Sequence, residues 1–409
     1  MRTVTEESLA RHLAALPHAR PRVVAGGNGA TPHALLRTVD QALPSYRLFV
    51  LNAATGMPDR DGVVLETPFI GPGMRGSTRL DYLPCRLSLV PSLLRTSTPP
   101  DVVLVSTSVP RHGTVSLGTE VNVLPAAIEA AHSRGGLVVA QVNRHMPYTF
   151  GDAVIDLDDI DLAVEVDEPI AEPAARTVDE VSLQIAQQVA TLIPEQATLQ
   201  LGIGGIPDAV LQALLERRGL RIWSEMISDG VLALERKGAL DPDRPLVTSF
   251  ALGTRELYAW LDGNPRLVFA RTERTNDPAV IARQPLMTSV NSALEVDLFG
   301  QANASYVGGR PYSGFGGQTD FIVGALHAHG GRSIISLPSW HSRADVSTIV
   351  PTLCQPATSF QQSFVVTDQG IARLWGVSQH EQARELVDNA AHPRAREELR
   401  EHALRLRLA

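Results

Sequence analysis

Short apolar runs alternate along the chain with longer segments in which apolar residues recur every three or four positions. Residues 22–25 and 101–106 contain continuous apolar runs, as expected of strands that are covered on both faces. Residues 5–17, 32–43 and 122–134 have the spacing of helices. Because such alternation is typical of α/β proteins, the pattern predicts open, mostly parallel sheets with flanking helices.

The second half of the chain repeats this pattern after an acidic, proline-bearing stretch at 156–180, which is the best candidate linker. We therefore expect an N-terminal domain at 1–175 and a C-terminal domain at 176–409, and a length of 409 residues suits two domains. In the C-terminal half, strands are predicted at 198–201, 220–222, 246–249, 268–270, 333–337 and 364–367, and helices at 178–192, 207–216, 229–237, 254–262, 379–391 and 395–408.

The net charge, cysteine content and apolar runs of the chain argue against several classes of function. A formal net charge of −8 argues against a nucleic-acid or anionic-membrane surface. The two cysteines show no metal-binding spacing and no disulfide framework, and we expect no metal site. The chain lacks an apolar leader at its N-terminus and any apolar run long enough to span a membrane, so we expect a cytoplasmic protein without membrane contact.

A glycine turn follows the predicted strand at 198–201 and opens a helix. The turn consists of Gly202, Ile203, Gly204, Gly205 and Ile206. Glycines let backbone N–H groups approach a ligand, and a helix N-terminus favours negative charge. The spacing differs from the dinucleotide fingerprint, so a nicotinamide cofactor is not expected. Pro207 is expected at the first helical position, and the alternative interpretation is a tight turn without a ligand.

Glu225 ends the next predicted strand as a single carboxylate among apolar neighbours. Ligands of open α/β sheets bind at the carboxyl ends of the strands, so Glu225 is a candidate nucleophile or base. The alternative is a carboxylate that pairs with an arginine or caps a helix. Glu295 competes with Glu225 on chemistry alone, and the glycine cluster at 312–321 suits close backbone approach to a ligand.

Several strings taken together resemble the acetyl-CoA hydrolase/transferase family, and within it the 4-hydroxybutyrate CoA-transferase-like enzymes. The strings are Leu-Gln-Leu-Gly-Ile-Gly-Gly-Ile-Pro-Asp-Ala-Val at 199–210, Ser-Glu-Met-Ile-Ser-Asp-Gly at 224–230, Asn-Ser-Ala-Leu-Glu-Val-Asp-Leu-Phe-Gly-Gln at 291–301 and Gly-Phe-Gly-Gly-Gln-Thr-Asp-Phe at 314–321. The resemblance covers roughly residues 100–395 and is specific, because unrelated strings occur in the right order.

The resemblance implies two CoA-transferase-type α/β domains and transfer of coenzyme A between a short-chain acyl-CoA and a free carboxylate. It implies that Glu225 attacks the thioester and then carries the coenzyme as a glutamyl-CoA thioester, with Glu295 ranked second. It also implies that the turn at 202–206, Leu294 and Gly317 line the coenzyme path. Arg343 stands where family members often carry a lysine and is the expected phosphate partner.

The resemblance further implies coenzyme A as a substrate rather than a tightly bound cofactor, small-molecule partners only, and a homodimer or homotetramer. Two other functions stay open on the sequence. An acyl-CoA hydrolase on the same scaffold differs only in the access of water, and a non-catalytic CoA-binding protein would lack both activities. The acyl donor and the acceptor acid are not specified by the residues.

Overall fold

The computed structural model describes residues 1–174 and 178–409. These residues form two compact units, the first made of Met1–Pro173 with Leu246–Thr275 and the second of Ala174–Pro245 with Asn276–Ala409. The expected domain boundary between residues 175 and 176 lies outside the described residues. Residues 246–275, which a linear division places in the C-terminal domain, group with the first unit.

The helices have apolar faces directed inward and polar faces directed outward, as in Glu180–Leu192, where Ile185, Ala186 and Val189 are buried. In chain order they are α1 Glu6–Ala14, α2 His33–Ala42, α3 Val90–Thr96, α4 Leu124–His132, α5 Glu180–Leu192, α6 Gly205–Ala213, α7 Asp229–Arg236, α8 Arg255–Leu261, α9 Thr272–Thr275, α10 Pro278–Ile281, α11 Gln318–His327, α12 Gln379–Glu385 and α13 Arg396–Arg405.

The strands are short, and most residues of the longer ones are buried. In chain order they are β1 Arg2–Thr3, β2 Arg22–Ala25, β3 Tyr46–Val50, β4 Val63–Thr67, β5 Leu80–Tyr82, β6 Val102–Thr107, β7 Thr114–Ser116, β8 Leu137–Asn143, β9 Phe150–Gly151, β10 Val154–Asp156, β11 Leu162–Val166, β12 Thr198–Leu201, β13 Arg221–Ile222, β14 Met226–Ile227, β15 Leu246–Thr248, β16 Phe250–Ala251, β17 Leu267–Phe269, β18 Met287–Ser292, β19 Glu295–Asp297, β20 Ala302–Asn303, β21 Tyr306–Val307, β22 Arg310–Pro311, β23 Arg332–Ser336, β24 Trp340–His341, β25 Val346–Ser347, β26 Ile349–Val350, β27 Phe364–Thr367 and β28 Gly370–Arg373.

The main sheet of the first unit is parallel, with strand order β1-β11-β8-β6-β2-β3-β4-β5. Its central strand β6 is buried along its whole length. Helices therefore cover both faces, which explains why residues 102–105 are continuously apolar rather than alternating.

The main sheet of the second unit has strand order β13-β12-β18-β23-β27-β28. Its neighbouring strands are parallel, except that β28 returns antiparallel to β27. From β12 the chain first adds β13 on one side and later β18 on the other. The order of strands therefore reverses between β12 and β18, and ligands of open α/β sheets bind at such a point.

The predicted fold class is confirmed, because both units contain open, largely parallel sheets with helices packed against them. The strands predicted at 198–201 and 364–367 have those bounds. The prediction for Pro207 is wrong, since α6 begins at Gly205 and makes Pro207 its third residue. The ring is still tolerated there, because N–H groups of the first turn have no partner within the helix.

Among residues 1–174 and 178–409, no helix is both long enough and apolar enough to cross a membrane. Within the same ranges, no group of three or more histidine, cysteine, aspartate or glutamate side chains is placed to hold a metal ion.

The stability of the first unit should depend on the side chains that are fully buried in its core. Leu104 on β6 has no exposed surface, so Leu104→Ala should lower the free energy of unfolding by about 2–5 kcal/mol. Leu404 on α13 is 67% exposed, and Leu404→Ala is the matched control, expected within about 0.5 kcal/mol of the parent. Urea titration followed by fluorescence measures both, and an equal effect of the two substitutions would contradict this account of the core.

Candidate active site

Three candidate segments meet at one edge of the second unit's sheet. Gly202 follows β12, Glu225 follows β13, and Leu294 follows β18. These three strands are parallel neighbours in the order β13-β12-β18, so their carboxyl ends lie side by side. The structure therefore brings together segments that are nearly one hundred residues apart along the chain.

The glycine turn after β12 has a conformation that only glycine adopts readily. Gly204 has φ of 134° and precedes the first residue of α6, Gly205. The N–H groups of the first turn of α6 have no acceptor within the helix, which suits an anionic or developing negative group. A Cβ built on Gly202 meets no atom within 4 Å, so there is open space beside the backbone at that position.

The loop that carries Glu225 is hydrogen-bonded to the end of the neighbouring strand β12. The Ser224 hydroxyl donates to the carbonyl oxygen of Leu201 at 3.2 Å and accepts from the Met226 N–H at 3.4 Å. Both Ser224 and Met226 are buried. The backbone on either side of Glu225 is thereby fixed relative to the end of β12, from which the glycine turn starts.

Asn276 holds the carboxylate of Glu225. Its Nδ2 donates to Glu225 Oε2 at 3.0 Å, and the Asn276 side chain has no exposed surface. A donor to one carboxylate oxygen fixes the orientation of the group and leaves lone pairs on the other oxygen. Sequence reasoning missed Asn276, because it lies 51 positions from Glu225, outside the strings used for the resemblance.

Gly317 provides the space in which this carboxylate lies. A Cβ built on Gly317 would be 1.7 Å from Glu225 Oε2 and 2.3 Å from Asn276 Nδ2. The backbone there has φ of −93°, which any residue can adopt, so the need for glycine is one of space. Gly317 directly precedes α11, and the carboxylate therefore lies beside the start of that helix.

Burial dominates the electrostatics of Glu225. Loss of solvation raises the pKa of the Glu225 carboxyl to about 7, with the hydrogen bond from Asn276 opposing the shift and the nearby Asp320 charge adding to it. Part of Glu225 is still exposed to solvent, so protein surrounds the carboxyl without sealing it from solvent. Near neutral pH the group is partly ionised, and a carboxylate with little solvation is a stronger nucleophile.

The other predicted residues have different surroundings. Leu294 is half-buried, and its N–H donates to the Asn303 carbonyl oxygen at 2.8 Å. Glu295 Oε1 accepts from Asn303 Nδ2 at 2.9 Å, which is a bond across a strand pair rather than to the Glu225 cluster. Arg343 is exposed on the hairpin formed by β24 and β25, which follows β23 at the same edge of the sheet.

Another buried carboxylate, that of Glu120, lies in the first unit, and sequence reasoning missed it as well. Glu120 accepts from Asn28 Nδ2 and Asn122 Nδ2, each at 2.7 Å. Burial raises the pKa of Glu120 to about 7, although both hydrogen bonds oppose the shift. A lone acid within the apolar stretch 115–128 is the sequence signal that points to it.

Comparison with known proteins gives two matching family models. Residues 66–172 match the acetyl-CoA hydrolase/transferase N-terminal domain, and residues 253–403 match the C-terminal domain of the same family. The chain is 40% identical over 335 residues to the 4-hydroxybutyrate coenzyme A transferase of Clostridium kluyveri, covering 79% of this chain and 77% of that protein.

Two further relatives are named for other substrates or another reaction. The chain is 36% identical to the succinyl-CoA:acetate/propanoyl-CoA:succinate CoA transferase of Fasciola hepatica, over 92% of this chain and 83% of that protein. It is 31% identical to an acetyl-CoA hydrolase of Kluyveromyces lactis, over 67% of this chain but only 56% of that protein.

Solved structures have the same fold. A 4-hydroxybutyrate CoA-transferase of Porphyromonas gingivalis matches with a TM-score of 0.80 at 33% identity, covering 99% of this chain and 98% of that chain. RipA of Yersinia pestis matches with a TM-score of 0.91 at 26% identity, covering 100% of this chain and 98% of that chain.

The buried carboxylate should make stability depend on pH. Because the pKa of folded Glu225 is raised to about 7, its contribution to stability is present below about pH 4.5 and is lost as pH rises through 7. Glu225→Gln should therefore raise the melting temperature by a few degrees at pH 8 and by much less at pH 4.5. Calorimetry across this pH range measures the gap, Glu295→Gln serves as the control for removing one negative charge, and a gap independent of pH would contradict the assignment.

The space at Gly317 gives a separate test. Gly317→Ala should lower the free energy of unfolding by about 1–3 kcal/mol, since the new methyl group must displace the Glu225 carboxyl or the Asn276 amide. Gly202→Ala is the matched control, because its Cβ meets nothing within 4 Å. Denaturant unfolding compares the two variants, and a Gly317→Ala protein as stable as Gly202→Ala would show that the carboxyl lies elsewhere.

Proposed function

The chain belongs to the acetyl-CoA hydrolase/transferase family, and we propose that it transfers coenzyme A from a short-chain acyl-CoA to a free carboxylate with Glu225 as the nucleophile. The reaction class is CoA transfer, since relatives that share most of their length with this chain are CoA-transferases. The observation that carries the proposal is the Glu225 carboxyl, desolvated and oriented by Asn276 at the carboxyl edge of the sheet.

The chemistry proceeds through bonds made to this carboxyl. A Glu225 oxygen attacks the thioester carbonyl carbon, the carbon–sulfur bond breaks, and coenzyme A leaves as its thiolate with an acyl–glutamyl anhydride formed. The thiolate then attacks the glutamyl carbonyl, which releases the first carboxylate and leaves a glutamyl-CoA thioester. The acceptor carboxylate attacks that thioester, a second anhydride forms, and the returning thiolate yields the new acyl-CoA and regenerates Glu225.

Each addition places negative charge on a carbonyl oxygen, and the surroundings of Glu225 suit that charge. We assign its stabilisation to backbone N–H groups at the start of α6, in the turn at 202–206, and beside Gly317 at the start of α11. Asn276 keeps one carboxylate oxygen engaged, which leaves the other available for attack. Partial enclosure also protects the anhydride and thioester intermediates from water.

The coenzyme is proposed to run along the carboxyl edge of the second unit's sheet. Open space beside Gly202 and the positions of Leu294 and Gly317 at that edge support this path. Arg343 is proposed as the phosphate partner, because it is an exposed cation on a hairpin at the same edge. The coenzyme acts as a substrate here, and the proposal includes no tightly bound cofactor.

The acyl group and the acceptor are proposed to be short. The relatives are named for 4-hydroxybutyrate, for succinyl-CoA with acetate, and for propanoyl-CoA with succinate. Their common chemistry is a short acyl thioester exchanged against a small carboxylate. Acetyl-, butyryl- and 4-hydroxybutyryl-CoA are therefore the donors to try first, with acetate, butyrate and succinate as acceptors.

Acyl-CoA hydrolysis is the second candidate, favoured by the similarity to an acetyl-CoA hydrolase. It receives less support, because the chain covers a smaller share of that relative than of the transferases. The discriminating observation is release of free coenzyme A from acetyl-CoA when no carboxylate is added. A transferase instead converts an added carboxylate into its CoA thioester, several-fold faster than it releases free coenzyme A.

Steady-state kinetics of matched variants test the role of Glu225. Glu225→Ala and Glu225→Gln should lower kcat for transfer at least about 1,000-fold, because no covalent intermediate can form. Glu295→Gln removes the second-ranked carboxylate of the same unit and should retain transfer within about tenfold of the parent. Parallel double-reciprocal lines are expected for the parent. Full transfer by Glu225→Ala, or loss confined to Glu295→Gln, would overturn the assignment.

A further inference from the structure

A surface groove in the first unit lies outside everything assigned above. It has a volume of about 230 Å³ and is open to solvent along one side. Arginines reach it from three separate segments of the chain: Arg111 from the turn before β7, Arg144 from the loop after β8, and Arg255 from the start of α8. Three guanidinium groups around one small groove indicate a ligand with more than one negative charge.

The present partners of these arginines hold them weakly. Arg144 Nη1 lies 3.3 Å from Asp167 Oδ2, and Arg255 Nη2 lies 3.8 Å from Glu172 Oε1. Both arginine side chains are largely exposed, at 67% and 86%. Exposed ion pairs of this kind contribute about 0–1 kcal/mol, so a bound anion can replace them at little cost.

Arg111 has more contacts than the other two arginines of the groove. Its Nη2 donates to Asp262 Oδ1 at 3.0 Å, and its guanidinium carbon lies 5.0 Å from the centre of the Tyr148 ring. Asp262 also accepts the Tyr148 N–H at 2.8 Å, so the carboxylate is engaged on two sides. The remaining N–H groups of a guanidinium held in this way keep a fixed direction, which suits recognition of an oxyanion.

Part of the groove's lining is apolar. Val109, Met146, Pro147, Pro169 and Ile170 line it, and Val109 is 40% exposed although it is a large hydrophobic residue. Burying this surface favours a ligand that has an uncharged body as well as an anionic end. A bare inorganic anion would use the arginines and leave the apolar lining in water.

We propose that this groove binds a phosphate-bearing small molecule of nucleotide size. A phosphate ester or diphosphate has the charge and the several oxygens that three guanidinium groups can share, whereas a single carboxylate occupies one guanidinium. The carboxylates of Glu172 and Asp262 at the groove, and that of Asp167 beside it, oppose an anion, and they are the groups that the arginines must leave or share on binding. The ligand is a free nucleotide, because the coenzyme is proposed to bind at the carboxyl edge of the second unit's sheet with Arg343 as its phosphate partner. The proposal does not depend on catalysis of CoA transfer.

Calorimetric titration of the full chain with ADP, and with pyrophosphate as the probe lacking an apolar body, tests the groove. The parent should bind ADP more tightly than pyrophosphate. Arg144→Gln with Arg255→Gln should weaken ADP binding at least about tenfold, and each single variant should weaken it by less. Arg405→Gln is the matched control, because Arg405 is also 67% exposed and also lies 3.3 Å from its carboxylate partner, Glu401. It should change the Kd less than twofold.

A second experiment, the effect of ADP on the KM for acetyl-CoA, distinguishes a free nucleotide from the nucleotide end of coenzyme A. If ADP raises the KM for acetyl-CoA in the parent and not in the double variant, the groove takes the nucleotide end of coenzyme A, and the assignment to a free nucleotide is wrong. If ADP binds without changing that KM, the ligand is a separate nucleotide. Absence of ADP binding by the parent at millimolar concentration, or equal binding by the parent and the double variant, would overturn the proposal whatever the outcome for transfer.

Discussion

The structure of the candidate site depends on the close approach of the Glu225 carboxylate to the backbone of Gly317, where a side chain would leave no room for it. Glu225 Oε2 lies where a Cβ of Gly317 would be, and Asn276 donates to the same oxygen. This contact fixes three segments of the second unit around one ionisable group at the start of α11. It also removes water from the carboxyl, and that loss of solvation raises its pKa to about 7.

The parallel sheet makes this contact possible. Because β12 and β18 are parallel neighbours, the loops after both strands lie at the same edge, and the connections that follow run in opposite directions along the sheet. The hydrogen bonds of Ser224 then link the Glu225 loop to the end of β12. A nucleophile held in this way has few alternative positions, so little conformational entropy is lost when it attacks.

Local sequence rules predict several strands and candidate site residues of this chain. They miss the side chains whose roles depend on tertiary contacts. The apolar runs at 198–201 and 364–367 predict the bounds of two strands, and the sequence alone indicates the glycine turn and Glu225 as candidate site residues. Asn276 was missed because an asparagine after a short helix has no pattern that distinguishes it. No helix was predicted over the glycine cluster at 312–321, whereas α11 begins at Gln318, because the glycines interrupt the helical spacing of apolar residues. Glu120 needed the fold to show two asparagine donors around it.

Mass spectrometry of the enzyme quenched during turnover tests the central claim, that the Glu225 carboxyl carries coenzyme A. After incubation with acetyl-CoA and proteolysis, we expect the mass of coenzyme A, less one water, on the peptide that contains residue 225. Addition of acceptor carboxylate before the quench should remove it. Coenzyme A attached to a different peptide, or no adduct in an enzyme that is transferring coenzyme A at full rate, would contradict the account.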